Sequence, residues 1–503
     1  MKKFLAERKR FIYLVAPAMI GAFFLILCIL NINQSVSTAE AYNLYLTRFD
    51  FKHIWQFATT NANPPLYYCV LKIWAHIFGH SVSIMRILSA IFGAVAIVFA
   101  YLWLKYKYGV MAAIISTFLM SLSPILIHAG QTMDASAMIV ATVCAATFFL
   151  QVAVDNHHRS WWIIYAILLA LGIWTSNLFI LVMLAHFLYL LFIFRKKIIH
   201  QKPIILSFVL PLVASLPLWP SILRTDLPET NINITNIASF WTQSLFYETA
   251  EDIANWLLIL AIFATIAIVF LMIRFRKQLH MLTSLIFVPL IGLMLLSISP
   301  LHSAFSVSQI SYSAVALSIL VGVAFTLQIR SRFARKHKKV SFFRKSYWSL
   351  AVISMILGAT FIYGLNAVFA KGNLDNDVKP TAQNLYSDLL VIDNRENLSI
   401  IANSTEIYYE LSAYETSQHD VHFTEEISPL STNIEAPLHD TYFGRINDLD
   451  DFLASRDSIF YVGVCPASGY IDFPRTNWRV ATFANLQYND DGACYQILKL
   501  EKE

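Results

Sequence analysis

The sequence predicts a polytopic α-helical membrane protein of about eleven spans, carrying a C-terminal extracytoplasmic α/β domain. Three observations lead there. The 503 residues are 57% hydrophobic and 14% charged, where a soluble chain carries roughly 25% charged residues; the mean hydropathy is +0.57. Apolar runs repeatedly reach the ~20 residues needed to cross a bilayer. The charge is also sharply divided, with a balance of +19 over residues 1–371 and −14 over residues 372–503.

The first apolar run, Phe11 to Leu30, follows a basic stretch. It is too long for the core of a signal peptide and lacks a clean small-residue cleavage site, so a retained helix is expected. Basic clusters follow at Lys105–Lys107, His157–Arg159, Arg195–Lys197, Arg274–Lys277 and Arg330–Lys345. Placing them all with the N-terminus in the cytoplasm satisfies the positive-inside rule. The expected spans are 11–31, 82–104, 110–128, 134–153, 160–176, 177–195, 204–221, 254–273, 279–298, 308–329 and 347–370, which puts residues 372–503 outside. The basic excess is then juxtamembrane and calls for no nucleic-acid partner.

Two outer loops stand out in the membrane domain, 32–81 and 223–253. In the first, Ala41, Leu44, Tyr45 and Phe49 repeat at helical spacing. Pro65 to Gly79 is too short to span and is interrupted by Lys72 and His76. Both segments are expected to lie in the interface, with Tyr67, Tyr68 and Trp74 at headgroup level; the alternative is a twelve-span bundle. In the tail, strand-like runs at Leu398–Ala402, Ser458–Val464, Arg479–Phe483 and Tyr495–Leu500 alternate with helical stretches at Ala382–Leu390 and Ile446–Ser455. Cys465 and Cys494 can pair if the tail is outside the cytoplasm.

Residues 1–371 hold only ten carboxylates, few enough to audit. Glu7 and Asp155 face the cytoplasm, and Asp226, Glu229, Glu248, Glu251 and Asp252 belong to the second loop. Glu40, Asp50 and Asp134 remain at the outer surface, where acid/base chemistry on a lipid-borne substrate needs its base. Each has a plainer reading. Glu40 follows Ser37 and Thr38 and can cap a helix, Asp50 lies among Arg48 and Lys52 as a solvated charge, and Asp134 can begin the next span.

Ala39-Glu40-Ala41-Tyr42, Asn63-Pro64-Pro65-Leu66-Tyr67-Tyr68, Phe78-Gly79 and Met85 to Gly93 with Arg86 together resemble the membrane glycosyltransferases of the GT-C superfold. The nearest group is family 39, which includes the protein O-mannosyltransferases and aminoarabinose transferases. The resemblance covers residues 36–130. It implies transfer of a sugar, a hexose or pentose, from a polyprenyl-phosphate carrier to a lipid, glycan or protein acceptor on the outer face, with inversion. Glu40 is then the expected base or its partner, with Asp134 the second catalytic candidate. Arg86, Asn63, Tyr67, Lys72, Gln131 and His128 are expected to bind substrate. Arg86 also has a plain reading as an interface anchor.

The chain departs from that pattern. Ala39 replaces the first acid of the pair, Asn63 replaces a His or Lys, and Gln131-Thr132-Met133-Asp134-Ala135-Ser136 lacks the expected Arg and Tyr. A catalytically degenerate GT-C-like scaffold that binds a glycan, a lipid carrier or a partner enzyme is therefore the alternative. A transporter fits less well, because charges stay near span ends rather than at mid-membrane. No Walker motif, Rossmann fingerprint or metal-ligand cluster occurs, which argues against a nucleotide-sugar donor and calls for no cofactor. A divalent cation stays open as a cofactor, because two or three carboxylates can meet at the outer cavity.

Overall fold

The computed structural model describes residues 2–30, 32–60, 63–156, 158–194, 202–220, 240–244, 255–298, 310–333, 358–359, 362–363, 365–366, 382–393, 398–414, 420–428, 436–439, 443–466, 469–487 and 494–503. In chain order the helices begin with α1 (Lys2–Leu30), α2 (Thr38–Leu46), α3 (Phe51–Thr60), α4 (Leu66–Phe78), α5 (Val82–Tyr108), α6 (Val110–Ser121) and α7 (Pro124–Gln131). There follow α8 (Ser136–Asn156), α9 (Arg159–Thr175), α10 (Phe179–Phe194), α11 (Lys202–Ala214), α12 (Asn255–Arg274), α13 (Arg276–Ile298) and α14 (Ser311–Phe333). Four helices, α15 (Ala382–Asp393), α16 (Thr405–Ser412), α17 (Ala436–His439) and α18 (Leu449–Ala454), lie among strands β1 (Ile400–Ala402), β2 (Val421–His422), β3 (Ser458–Val464), β4 (Trp478–Gln487) and β5 (Cys494–Lys502).

Ten of the expected spans fall on helices, and 347–370 lies almost wholly outside the described residues. Among the described residues, four helices alone are long and apolar enough to cross: α5, α8, α13 and α14. The α6–α7 pair makes a fifth if a bent pair is one span. Of the other apolar helices, α4, α9, α10 and α11 run 13–17 residues, about 25 Å at most against a hydrocarbon layer of about 30 Å. The chain is a multi-pass membrane protein.

The expected straight span 110–128 is instead broken, with α6 and α7 bent by 59°. Pro124 at the first turn of α7 has no N–H to continue the ladder of α6, so a new helix starts in a new direction. At the other end of α6, Gly109 supplies the left-handed φ of +90° that joins it to α5.

The chain divides into two compact units, one comprising 1–32, 62–67 and 86–370, the other 33–61, 68–85 and 371–503. The segments 33–61 and 68–85, assigned from sequence to a loop of the membrane domain, cluster with the tail. In the first unit α8 packs on α9, α14 on α6, α10 on α13 and α11 on α9. Gly322 allows α14 to approach closely, since a Cβ there would lie 2.5 Å from the Ser116 main chain on α6. Inside this bundle, buried His186 meets Thr147 at 3.2 Å and Tyr165 at 3.0 Å.

The second unit holds one mixed sheet in the order β2-β1-β3-β5-β4. Strands β2, β1 and β3 are parallel, whereas β5 runs antiparallel to both β3 and β4. Ile401, Leu449, Ile459, Trp478, Leu498 and Leu500 form its core. A disulfide joins Cys465 to Cys494, where β3 ends and β5 begins. Helix α16 follows β1 directly and packs against α2.

Candidate active site

In the second unit, Glu40 lies in the first turn of α2 and is 2% exposed. Its Oε2 accepts the Ser37 N–H at 3.2 Å and the Ser37 hydroxyl at 3.4 Å, while Ser37 Oγ accepts the Glu40 N–H. This is a reciprocal capping box. The carboxylate thus performs the capping its sequence neighbours allowed, and a buried carboxylate keeps further acceptor positions for a proton or a ligand. Thr38, one step into α2, donates its hydroxyl to Glu410 on α16. Glu410 is also buried.

Around these two acids Tyr42, Tyr45, Tyr408 and Tyr409 pack edge to face, with ring centroids 5.1–5.7 Å apart. The aromatic contacts keep water from α2 and α16, so charges near them interact strongly.

Just past the C-terminal turn of α2 a cavity of about 810 Å³ opens within the same unit. Arg48, Lys72, His76 and His80 line it, with Phe51 and Phe443 as apolar walls, and among the described residues no carboxylate is in its lining. Lys72 and His76 are one turn apart on α4, and His80 follows the left-handed Gly79 that ends the helix. Lys72 Nζ donates to the Thr47 carbonyl at 3.0 Å and lies 5.9 Å from the Phe51 ring centroid. Arg48 donates to the Ser412 carbonyl at 2.9 Å. Burial first, then the positive charges of Arg48, Lys72 and His76, lower the pKa of His80. At neutral pH its imidazole is uncharged, and the cavity presents a positive field that an anion would relieve.

Asp50 takes the plainer of its readings. It caps α3, accepting the His53 N–H at 2.8 Å and lying 2.7 Å from its ring. Those bonds, the backbone one first, hold its carboxyl below the usual carboxylate range.

The remaining candidates belong to the first unit. Arg86 is completely buried, and its Nη1 donates to the Ile32 carbonyl at 2.9 Å, just beyond α1. Gln131, also buried, donates to the Leu27 carbonyl at 3.4 Å, so both side chains converge on the end of α1. Partly exposed His128 stands one turn before Gln131 on α7. Half-buried Asp134 accepts the first N–H of α8, that of Ser136, at 2.8 Å. Tyr67 is buried in the first turn of α4, and Asn63 is exposed ahead of the buried Pro64-Pro65 pair. The five carboxylates of 223–253 lie outside the described residues. Among the described residues no three of His, Cys, Asp and Glu gather as metal ligands.

Arg48, His76, His80 and Glu410 are the residues that sequence reasoning missed. Lys72 and His76 were visible as a helical repeat, whereas His80 lies past the Gly79 that ends the helix. Glu410 carried no local signal, since its approach to Thr38 spans 372 positions.

Residues 62–220 match the family described as dolichyl-phosphate-mannose-protein mannosyltransferase. The Bacillus subtilis (strain 168) protein YkcB, whose name assigns it mannosyl transfer, is 29% identical over 161 residues. That match covers 32% of this chain and 22% of the relative. Two structures of ArnT from Cupriavidus metallidurans align over nearly the whole fold. The apo form gives a TM-score of 0.53 at 13% identity, covering 88% of this chain and 92% of ArnT. The form bound to undecaprenyl phosphate gives 0.55 at 14% identity, covering 96% and 97%. The chain has the GT-C fold. Within it, the family match holds Asn63, Tyr67, Lys72, Arg86, His128, Gln131 and Asp134, and Glu40 lies N-terminal to the matched segment.

Proposed function

We propose that this GT-C protein is a membrane glycosyltransferase that moves a hexose or pentose from a polyprenyl-phosphate carrier to a lipid, glycan or protein acceptor on the outer face, with inversion. One observation carries the reading. Helix α2 bears a buried carboxylate in its first turn and ends at a cavity whose described lining holds four basic side chains and no acid. An acceptor hydroxyl needs a base, and a departing phosphate needs cations. The ArnT structure bound to undecaprenyl phosphate and the mannosyltransferase relative support this donor class.

Glu40 takes the proton of the attacking hydroxyl as its oxygen bonds to the anomeric carbon. The bond from that carbon to the phosphate oxygen breaks, and the carrier phosphate leaves as an anion facing Lys72 and Arg48. Glu40 is held by its cap at the Ser37 end of α2 and is not in the cavity lining, so catalysis requires its carboxylate to leave the cap when substrate binds. Asp134 is the second candidate base, with His128, Gln131, Asn63 and Tyr67 as further substrate contacts. The Cys465–Cys494 disulfide supports an extracytoplasmic tail, and the odd number of spans expected from the sequence then puts the N-terminus in the cytoplasm.

The degenerate-scaffold reading draws on the same geometry. Glu40 forms a cap, and Arg86 is buried and donates to a main-chain carbonyl. The two readings part in proteoliposomes supplied with a panel of polyprenyl-phosphate sugars and cell-envelope acceptors. Transfer with inverted anomeric configuration establishes the enzyme; carrier binding without transfer across the panel establishes the scaffold.

A further inference from the structure

We propose that the helix bundle of the first unit carries a dedicated site for the headgroup of an anionic phospholipid, independent of the glycosyltransferase reading. A cavity of about 340 Å³ opens where the C-terminal turns of α5, α8, α10 and α14 meet the first turn of α13. Lys107, Lys277, His280 and Arg330 line it. Among the described residues Lys107, Lys277 and Arg330 form no ion pair, although the bundle places them around one opening. Its floor is polar and internally satisfied. Tyr189 donates to the Gln151 side chain at 3.0 Å, and Tyr108 donates to the Gln278 carbonyl at 2.7 Å. The adjacent Asp155 is held by the Gln151 amide at 3.0 Å and does not line the cavity.

Basic residues at helix C-termini commonly complement the helix dipole, and that alone would scatter them over the ends of their own helices. Here three cations and an imidazole from three helices converge on a recess, and two of its lining residues are apolar and exposed, Phe192 at 54% and Ile193 at 41%. A free phosphate would have no use for that wall. A phospholipid places its phosphate among the cations and its glycerol and first methylenes against Phe192 and Ile193. Basic pockets between spanning helices bind headgroups in this manner, each cation contributing appreciably.

The test uses the full chain, delipidated in detergent, and measures binding of dioleoyl phosphatidylglycerol by native mass spectrometry alongside thermal stability. One variant carries Lys107→Gln, Lys277→Gln and Arg330→Gln; a control with the same net charge carries Arg159→Gln, Arg274→Gln and Arg276→Gln. The expected result is a loss of affinity on the order of a hundredfold in the first and little change in the control, with dioleoyl phosphatidylcholine binding weakly to both. Equal losses in the two triples would reduce the effect to diffuse surface attraction and overturn the proposal. So would unchanged binding in the first triple, or stabilisation by glycerol 3-phosphate as strong as by the lipid. If the triple does not fold, exposed Arg330→Gln alone decides: several-fold weaker binding supports the site, and none overturns it.

Discussion

Replacing Lys72 by Met isolates the part of the account that concerns the leaving phosphate. Met keeps the length and apolar stem of the side chain, so packing on Phe51 survives and the charge is lost. In the protein without substrate, the cost is one donor to the Thr47 carbonyl, about 1 kcal/mol and a shift of a few degrees at most in Tm. With a carrier phosphate in the cavity the loss is larger. A charged hydrogen bond contributes about 1.5–3 kcal/mol, or roughly 10- to 150-fold in Kd or kcat/KM. Binding of polyprenyl phosphate, followed through intrinsic tryptophan fluorescence in detergent, reads the effect directly. The pH profile sharpens it. His80 has its pKa lowered from 6.5 by burial and by neighbouring cations; a bound phosphate favours the imidazolium, so binding takes up a proton. Affinity should therefore rise as pH falls through and below 6.5, and Lys72→Met should flatten that rise. Unchanged affinity in Lys72→Met, or binding indifferent to pH, would refute a phosphate role for this cavity.

Three further outcomes are expected. Arg86→Leu removes the donor to the buried Ile32 carbonyl and should lower Tm and yield, by about 1–3 kcal/mol; a raised KM for donor at unchanged Tm would restore Arg86 as a phosphate contact. Burial pushes the His422 imidazole down to about 4. The unfolded chain binds the extra proton near 6.5, so this contribution to stability is complete above that pH and is lost as pH falls toward 4. His422→Gln should lessen the acid sensitivity of the tail in a pH series of melting curves, and an unchanged series would contradict the assignment. Cys465→Ser opens a disulfide that spans 29 positions and should cost roughly 3.5 kcal/mol, visible as a lower tail transition that reductant reproduces in the parent and leaves alone in the variant.

How far the sequence disclosed these features follows from the range of the forces involved. Helices α5, α8, α13 and α14 are long apolar runs and were legible because a bilayer-length run has one physical meaning. The break at Pro124 was legible in principle, since proline at a first turn is a local effect, but the apolar run continues across it and hides the bend. In the tail, β3, β4 and β5 coincide with the runs read as strands. The two-residue β2 and helix α16 do not, because Val421–His422 is too short for any periodicity and Thr405–Ser412 mixes polar and apolar residues. Glu40 was found from its surroundings, and its cap with Ser37 spans only three positions. The cation cavity was half visible: Lys72 and His76 share a helix face, but Arg48 and the Ser412 carbonyl it meets are 364 positions apart. The acidity of the tail, −14 overall, gave no hint that its unit would also hold a basic recess.

Glu40 remains the most direct point of test, because Gln at that position can keep the reciprocal cap and removes the base. The measurement is sugar transfer from polyprenyl-phosphate donors in proteoliposomes by the parent and by Glu40→Gln, with both melting curves recorded. The account predicts transfer by the parent, a fall of about 10²- to 10⁴-fold in Glu40→Gln and nearly coincident melting curves. Equal transfer by both proteins at equal stability would contradict it and move the base away from α2.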